Sequence, residues 1–552
     1  MDFKNKVIYQ IYPRSFYDAN GDGIGDLQGI IAKIPYLKKL QVDMIWFSPF
    51  FVSPQNDNGY DVADYYNIDP LFGTMADFDA MEAALRENHI GIMLDMVLNH
   101  VSTRHEWFQK ALAGDPYYQK FFYLRDPKPD GSLPNNWVSK FGGPAWDKFG
   151  DTGKYYLHLY DPGQADLDWH NPEVRKALFE VINFWRQKGV ANFRFDVINV
   201  TGKSEDLKDA EIGGDDKKLY TDTPIVQRYL QEMNQASFGQ DPDSVTVGEL
   251  SSTTIPAAAG YTNPENHELT MAFTFHHLKV DYRDGAKWTK MPFDFQALKQ
   301  TINDWQVGMA EAGGWNALFW NNHDQPWAIN RFGDPVHYRE KSAEMLATTI
   351  HLLRGTPYIY QGEEIGMIDP DYQSIQQYVD IETKNAYQQL LKDGQTPAEA
   401  FEIVKTKSRD NSRVPMHWDA TVNAGFTTGR PWLEPTQQLQ INVHQELAHG
   451  EIFKYYQQLI HLRKTEPIIA QGDYAPLDLT HSQVFGYVRT YEDTVLLVLN
   501  NFYGTETTFT LPAEYQDKNA SVFISNYNRN ETKTPKVLPM APYESIAFKL
   551  KR

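Results

Sequence analysis

The chain is 552 residues long, 41% hydrophobic and 22% charged, as expected of a folded protein with two or three domains. Its net charge of −20 argues against nucleic acid or an anionic membrane surface as partner, and an anionic small substrate would need local basic residues. The lack of cysteine excludes a disulfide framework and a thiolate metal site, and no stretch approaches membrane-spanning length.

The opening MDFKNKVIYQIYP has no apolar signal-peptide core, so a cytoplasmic protein is expected. Strands are predicted at Val7–Tyr12, Met44–Phe47, Gly91–Val97, Asn192–Asp196, Val245–Glu249, Leu269–Phe275, Ala317–Trp320 and Thr356–Tyr360. Helical patterns such as Met75–Asn88 and Glu173–Lys188 follow most of them. Eight such units predict an α/β fold, a closed (β/α)8 TIM barrel with its chemistry at the C-terminal strand ends. The barrel takes residues 1–100 and 171–473. Residues 101–170, aromatic and rich in Gly and Pro, form an inserted loop-rich subdomain after the third strand. A polar helical excursion covers about 368–428. Short alternating runs over 474–552, such as VFGYVRTY and TVLLVLNN, predict a C-terminal antiparallel β-sandwich.

Charged residues gather at the predicted strand ends. The third strand ends in Asp95, Asn99 and His100, the fourth in Arg194 and Asp196, the fifth in Glu249, and the seventh in His323 and Asp324. Arg194 and Asp196 share a strand face, so the guanidinium would hold the carboxylate ionised. Three carboxylates at one barrel rim suit glycoside cleavage. One attacks the anomeric carbon, one kept protonated donates to the leaving oxygen, and one stabilises oxocarbenium-like charge. A different loop, DANGDGIGD, spaces Asp18, Asn20, Asp22, the Ile24 carbonyl and Asp26 as alternating oxygen donors. That pattern is calcium-like, and the ion would be structural.

DMVLNH (95–100), FRFDVIN (193–199), VGEL (247–250), NNHD (321–324) and ADLDW (165–169) together resemble the α-amylase family of retaining glycoside hydrolases, over nearly the whole chain. The resemblance implies Asp196 as nucleophile, Glu249 as general acid/base and Asp324 as the transition-state-stabilising carboxylate, supported by Arg194, His100 and His323. It also implies that Asp57 and Tyr60, in DNGYD, seat the terminal glucose. Arg409 would be the partner of Asp57 with Arg413 nearby, and the cut would be exo. Relatives carry calcium in the DANGDGIGD loop, and no organic cofactor is implied.

Val197, after the nucleophile, resembles the branch acting on α-1,6 and α-1,1 linkages. FHHLKVDY, YTDTP (220–224), VGELSSTT and FVSPQ (51–55) resemble the branch that hydrolyses phosphorylated trehalose. A phosphate on the leaving glucose needs a cation, for which Lys279 is the first candidate and Lys287 and His277 the next. The expected substrate is therefore a small phosphorylated disaccharide, with no nucleic acid, membrane or obligate protein partner. The alternative is an oligo-1,6-glucosidase or dextran glucosidase with the same catalytic residues. A non-catalytic sugar-binding protein of the same fold is the remote alternative, since such proteins lose strand-end carboxylates. The expected spacing of the Asp196 and Glu249 carboxyl groups is about 5–5.5 Å. Two positions depart from the family pattern. Ala191-Asn192 replaces Asp-Gly before Phe-Arg, and Trp327 replaces an Arg expected near the site mouth.

Overall fold

The computed structural model of the chain describes residues 3–211 and 215–552. Its central sheet is built from β1 (Ile8–Ile11), β2 (Met44–Phe47), β3 (Gly91–Val97), β4 (Asn192–Asp196), β5 (Thr246–Glu249), β6 (Met271–Phe273), β7 (Ala317–Leu318) and β8 (Thr356–Tyr360). The hydrogen-bonded order is β6-β5-β4-β3-β2-β1-β8-β7, the chain order of a barrel cut between its sixth and seventh strands. The α/β barrel fold expected from the alternation is the one formed. Strand pairs are parallel, and the strands are almost wholly buried, as parallel strands covered on both faces must be.

The chain divides into two compact units, one of Trp46–Thr274 and Ala312–Trp315, the other of the stretch up to Ile45, Phe275–Glu311 and Asn316–Arg552. In the first, β4 sits between β3 and β5 with Arg194 opposite Asp95 on one side and Val247 on the other. Side chains alternate across a strand, so Asp95, Arg194, Asp196 and Glu249 all emerge on one face. Gly248 lets β5 approach closely, since a Cβ there would lie 2.6 Å from Leu269 Cδ1 and 3.1 Å from Ile198 Cγ2. Asn192, where the family pattern has Gly, does not use an unusual backbone angle. Its amide bridges both neighbouring strands, donating to Ile92 O at 3.0 Å and accepting from Val245 N at 2.9 Å.

The inserted segment leaves and returns as an antiparallel pair, His100–Ser102 against Gln164–Asp166, which sets His100 opposite Asp166. Beyond it lies a small three-stranded sheet of Leu124–Arg125, Tyr155–Leu157 and Trp146–Lys148. Its core of Tyr123, Trp137, Trp146, Leu157 and Leu159 includes Val197 and Tyr220.

In the second unit, the C-terminal strands β9 (Asp473–Leu477), β10 (Val484–Tyr491), β11 (Thr494–Asn501), β12 (Thr507–Thr510), β13 (Ala520–Ser525), β14 (Val537–Met540) and β15 (Ser545–Lys551) make two antiparallel sheets. They run β9-β10-β11-β15-β13 and β12-β14, and close on a shared apolar core that includes Val488, Leu497, Phe509, Leu538 and Phe548.

Candidate active site

Within the first unit, Arg194 is the hub. It is 2% exposed. Its Nη1 donates to Asp95 Oδ1 at 2.7 Å and Asp196 Oδ1 at 2.6 Å, and its Nη2 pairs with Glu249. Asp95 Oδ2 also accepts from Trp46 Nε1 and the Tyr60 hydroxyl, both at 3.0 Å. Burial raises the Asp95 carboxyl above the ordinary range; Arg194 opposes that rise and the nearby Asp196 adds to it. The carboxylates raise the Arg194 guanidinium still further, against the effect of burial, so it stays charged.

The Tyr60 ring lies beneath the guanidinium, 5.8 Å from its carbon to the centroid. His100 Nε2 lies 3.1 Å from Tyr60 O, and its Nδ1 lies 3.1 Å from Asn99 Nδ2. Burial lowers the His100 pKa, so the ring is neutral at pH 7. Asp57 Oδ2 accepts from Gln164 Nε2 at 3.0 Å. Beneath them a buried ion pair, Lys203 to Asp166 at 2.8 Å, also holds Asn99. Gln164, Asp166 and Lys203 went unseen as site residues. Asp166 lies within the ADLDW motif and Gln164 just before it, which was the available signal.

Strand β4 ends in a sharp turn. Val197 has φ 37° and ψ 40°, the left-handed region. A β-branched residue there carries strain of order 1–3 kcal/mol. Its side chain, 6% exposed, is locked among Tyr123, Trp137 and Tyr220.

Within the second unit, Asp324 follows β7. Its Oδ1 accepts from Arg413 Nη2 at 2.6 Å, with Arg409 Nη1 at 3.6 Å, and its Oδ2 lies 3.3 Å from His323 Nε2. Burial alone would raise this carboxyl; His323, Arg413, Arg409 and Lys287 overcome it and hold Asp324 well below the usual carboxylate range. Gln10 Nε2 meets His323 Nδ1 at 2.8 Å, and Tyr12 stacks on the same ring with centroids 5.7 Å apart. Arg413 matters more than its place beside Arg409 suggested. It is 1% exposed, and its Nε donates to His323 O at 2.7 Å. Asp380, which carried no motif signal, takes Arg409 Nη2 at 2.7 Å.

The phosphate candidates separate. Lys279 is exposed at the end of the turn His276–Leu278. Lys287 pairs with Glu382 at 2.7 Å, which also meets Arg409 at 3.3 Å. His277 does not fit the expectation. Its Nε2 is taken by Phe319 O at 2.9 Å, and burial pushes the ring down to about 4, so it brings no positive charge. Trp327 also departs from expectation. It is 1% exposed, with Nε1 donating to Asn411 O at 3.0 Å, and so is a packing residue, not a mouth residue.

In the DANGDGIGD loop the side-chain oxygens serve the backbone. Asp18 accepts from Gly21 N and Gly23 N, both at 2.7 Å. Asn20 accepts from Asp22 N and Asp22 from Ile24 N, both at 2.9 Å. Asp26 takes Ala19 N, Asn20 N and Gly29 N, capping the helix Leu27–Leu40. Among the described residues no three His, Asp or Glu side chains converge as a metal site. The donors are all oxygen, which fits a hard cation, but Asp26 is also committed to its cap.

The α-amylase catalytic domain matches residues 10–472, and the C-terminal domain of the α-amylase SusG matches 484–547. The chain belongs to the α-amylase family. As a member it is a glycoside hydrolase. Within the family it is 48% identical to a trehalose-6-phosphate hydrolase of Bacillus subtilis (strain 168), over 99% of this chain and 98% of that one. It is 43% identical to an oligo-1,6-glucosidase of Halalkalibacterium halodurans, over 99% and 98%. The solved Bacillus licheniformis trehalose-6-phosphate hydrolase superposes with a TM-score of 0.96 at 48% identity, covering 100% of both chains. Among the described residues no helix is long and apolar enough to cross a membrane.

Proposed function

We propose that this family member is a retaining, exo-acting α-glucosidase that hydrolyses trehalose 6-phosphate to glucose and glucose 6-phosphate. The observation that carries the reaction is the shared guanidinium: Asp196 and Glu249 contact the two terminal nitrogens of Arg194. Two carboxyl groups held that close suit double displacement, which leaves no room for a water between them.

In this reading Glu249 protonates the bridging oxygen while Asp196 attacks C1, so the C1–O bond breaks and a β-glucosyl ester forms. Glucose 6-phosphate departs. Glu249, now a carboxylate, takes a proton from water; the water attacks C1 and releases Asp196 and α-glucose. Asp324, kept ionised by its cations, stabilises positive charge on the ring. Asp57 and Tyr60 seat the glucose. The chemistry calls for no organic cofactor and no protein partner, and a phosphorylated sugar suits a cytoplasmic enzyme.

The likeness to trehalose-6-phosphate hydrolases and the lysine in FHHLKVDY support the phosphorylated substrate. The likeness to oligo-1,6-glucosidases supports the alternative, a neutral isomalto-oligosaccharide. Comparing kcat/KM for trehalose 6-phosphate, trehalose and isomaltose separates them. We expect trehalose 6-phosphate to lead, and Lys279→Ala to reduce that lead by about 10-fold or more, the loss of one charge-assisted bond. If isomaltose leads, the phosphorylated reading fails.

We also propose calcium in the loop, held by Asp18, Asn20, Asp22, the Ile24 carbonyl and Asp26. A ligand at 100 times its Kd stabilises by about 2.7 kcal/mol. Chelation with EGTA should therefore lower the Tm and added calcium restore it, with the response lost in Asp22→Ala. Superimposable melts with EGTA and with calcium would exclude the ion.

A further inference from the structure

Lys140 lies in the inserted segment, and none of the family motifs points to it. Its backbone N–H donates to Leu159 O at 2.8 Å, which fixes the chain at the base of the side chain. Its ammonium donates to Ser251 Oγ at 2.6 Å, between the rings of Tyr160 and Tyr220, whose centroids lie 5.9 and 5.5 Å away.

Ser251 is two residues beyond Glu249, at most about 7 Å of chain. It does not drift. Its N–H donates to Asn199 Oδ1 and its carbonyl accepts from Asn199 Nδ2, both at 2.9 Å. Asn199 itself follows Asp196 by three residues. The lysine is thus tied to the nucleophile turn and to the acid/base strand through one serine.

Tyr160 reaches the same place from the side of the seated sugar. Its ring packs against His100 with centroids 5.2 Å apart. Its hydroxyl is buried with no hydrogen-bond partner among the described residues, an arrangement natural to a group that meets a ligand. Burial and then the charge of Asp196 push this phenol well above its ordinary range, so it remains a donor.

We propose that Lys140, with the Ser251 hydroxyl, recognises the phosphate of the departing sugar and so determines specificity. The proposal rests on the phosphorylated-substrate reading above. A 6-phosphate sits about one sugar ring from the bond being cut, and the serine that Lys140 contacts lies two residues beyond Glu249. An ammonium carries three donors, so it binds a phosphate oxygen while keeping its contact to Ser251; the serine, accepting from lysine, has its own proton to give. The Tyr160 and Tyr220 rings near the ammonium limit the ordering needed when the substrate arrives.

The test uses the full chain, with Lys140→Met to remove the charge and keep the stem, and Lys140→Arg to keep the charge. The ratio of kcat/KM for trehalose 6-phosphate to that for trehalose should fall about 10–100-fold in Lys140→Met. The fall should come mainly through KM, and Lys140→Arg should recover most of it. Inhibition by glucose 6-phosphate should weaken by a similar factor, while inhibition by glucose should not. If the wild type prefers trehalose 6-phosphate and Lys140→Met keeps that ratio, Lys140 is excluded and the substrate reading stands. Parallel losses on both substrates would make Lys140 merely structural and overturn the proposal. A wild type indifferent to the phosphate would overturn both.

Discussion

Replacing Asp196 with glycine is expected to lower kcat by roughly 10^4–10^6-fold, the scale seen when a covalent nucleophile is removed. Glu249→Ala should lose about 10^2–10^4-fold on the natural substrate, and much less on an aryl glucoside whose leaving group needs no proton. Added azide distinguishes the two roles by stereochemistry. In Asp196→Gly it takes the vacated face, forms a C1–N bond as the glycosidic C–O bond breaks, and gives the β-glucosyl azide. In Glu249→Ala it attacks the β-glucosyl ester on Asp196 and gives the α-glucosyl azide. Anomeric assignment of the two products by NMR checks this. The opposite pairing of products with variants would reverse the roles, and full activity in either variant would remove that residue from the chemistry.

Removing the hub should have an effect of a different kind. Arg194 contacts Asp95, Asp196 and Glu249, and all but Glu249 are nearly sealed from solvent. Arg194→Gln leaves those carboxylates buried without their cation, which typically destabilises by about 3–5 kcal/mol. The surviving enzyme should also titrate differently. Losing a nearby positive charge raises a carboxyl pKa, commonly by about 1–3 units. Arg194 opposes the rise that burial imposes on the Asp95 carboxyl, so with it gone the acid limb of kcat/KM should move to higher pH, and activity lost near neutrality should partly return in alkaline buffer. Arg194→Lys, which keeps the charge but not the fork, should move the limb less. A pH profile identical to wild type would show that Arg194 does not set the ionisation of the cluster. Thermal melts recorded alongside separate loss of fold from loss of function.

The barrel was legible because each strand is a short apolar run with a helix behind it, and because β4 and β5 end on charged residues that cannot be explained as core. Strands β9 and β14 were not read, and both carry a proline, Pro476 and Pro539. Each lies at the edge of its sheet or in a two-stranded ribbon, where a missing N–H is tolerated, and proline masks the alternation that marks a strand. The site divides in the same way. Asp95, Arg194, Asp196 and Glu249 lie together because neighbouring strands share a register, which sequence spacing predicts. The cations on Asp324 come from the segment around 409–413, and Asp380 lies further off still. Such partners depend on how the long excursion packs, which spacing does not encode. Trp327 and His277 failed for a related reason: a polar aromatic in a motif reads as a contact residue, but both spend their hydrogen bonds on backbone carbonyls.

The left-handed turn at Val197 has a consequence for protein engineering. It is the natural first target for altering linkage preference, because it directly follows Asp196, the proposed nucleophile. It is also a strained backbone position held in place by its own side chain among large aromatics. Glycine would relax the backbone and leave a hole, while a bulkier residue would inherit the strain and crowd its neighbours. A library at this position therefore varies selectivity and heat tolerance together. A campaign that screens survivors of a heat step would discard altered selectivity along with poor folding. Stabilising the Tyr123–Trp137–Tyr220 cluster first would widen the range of sequences that survive.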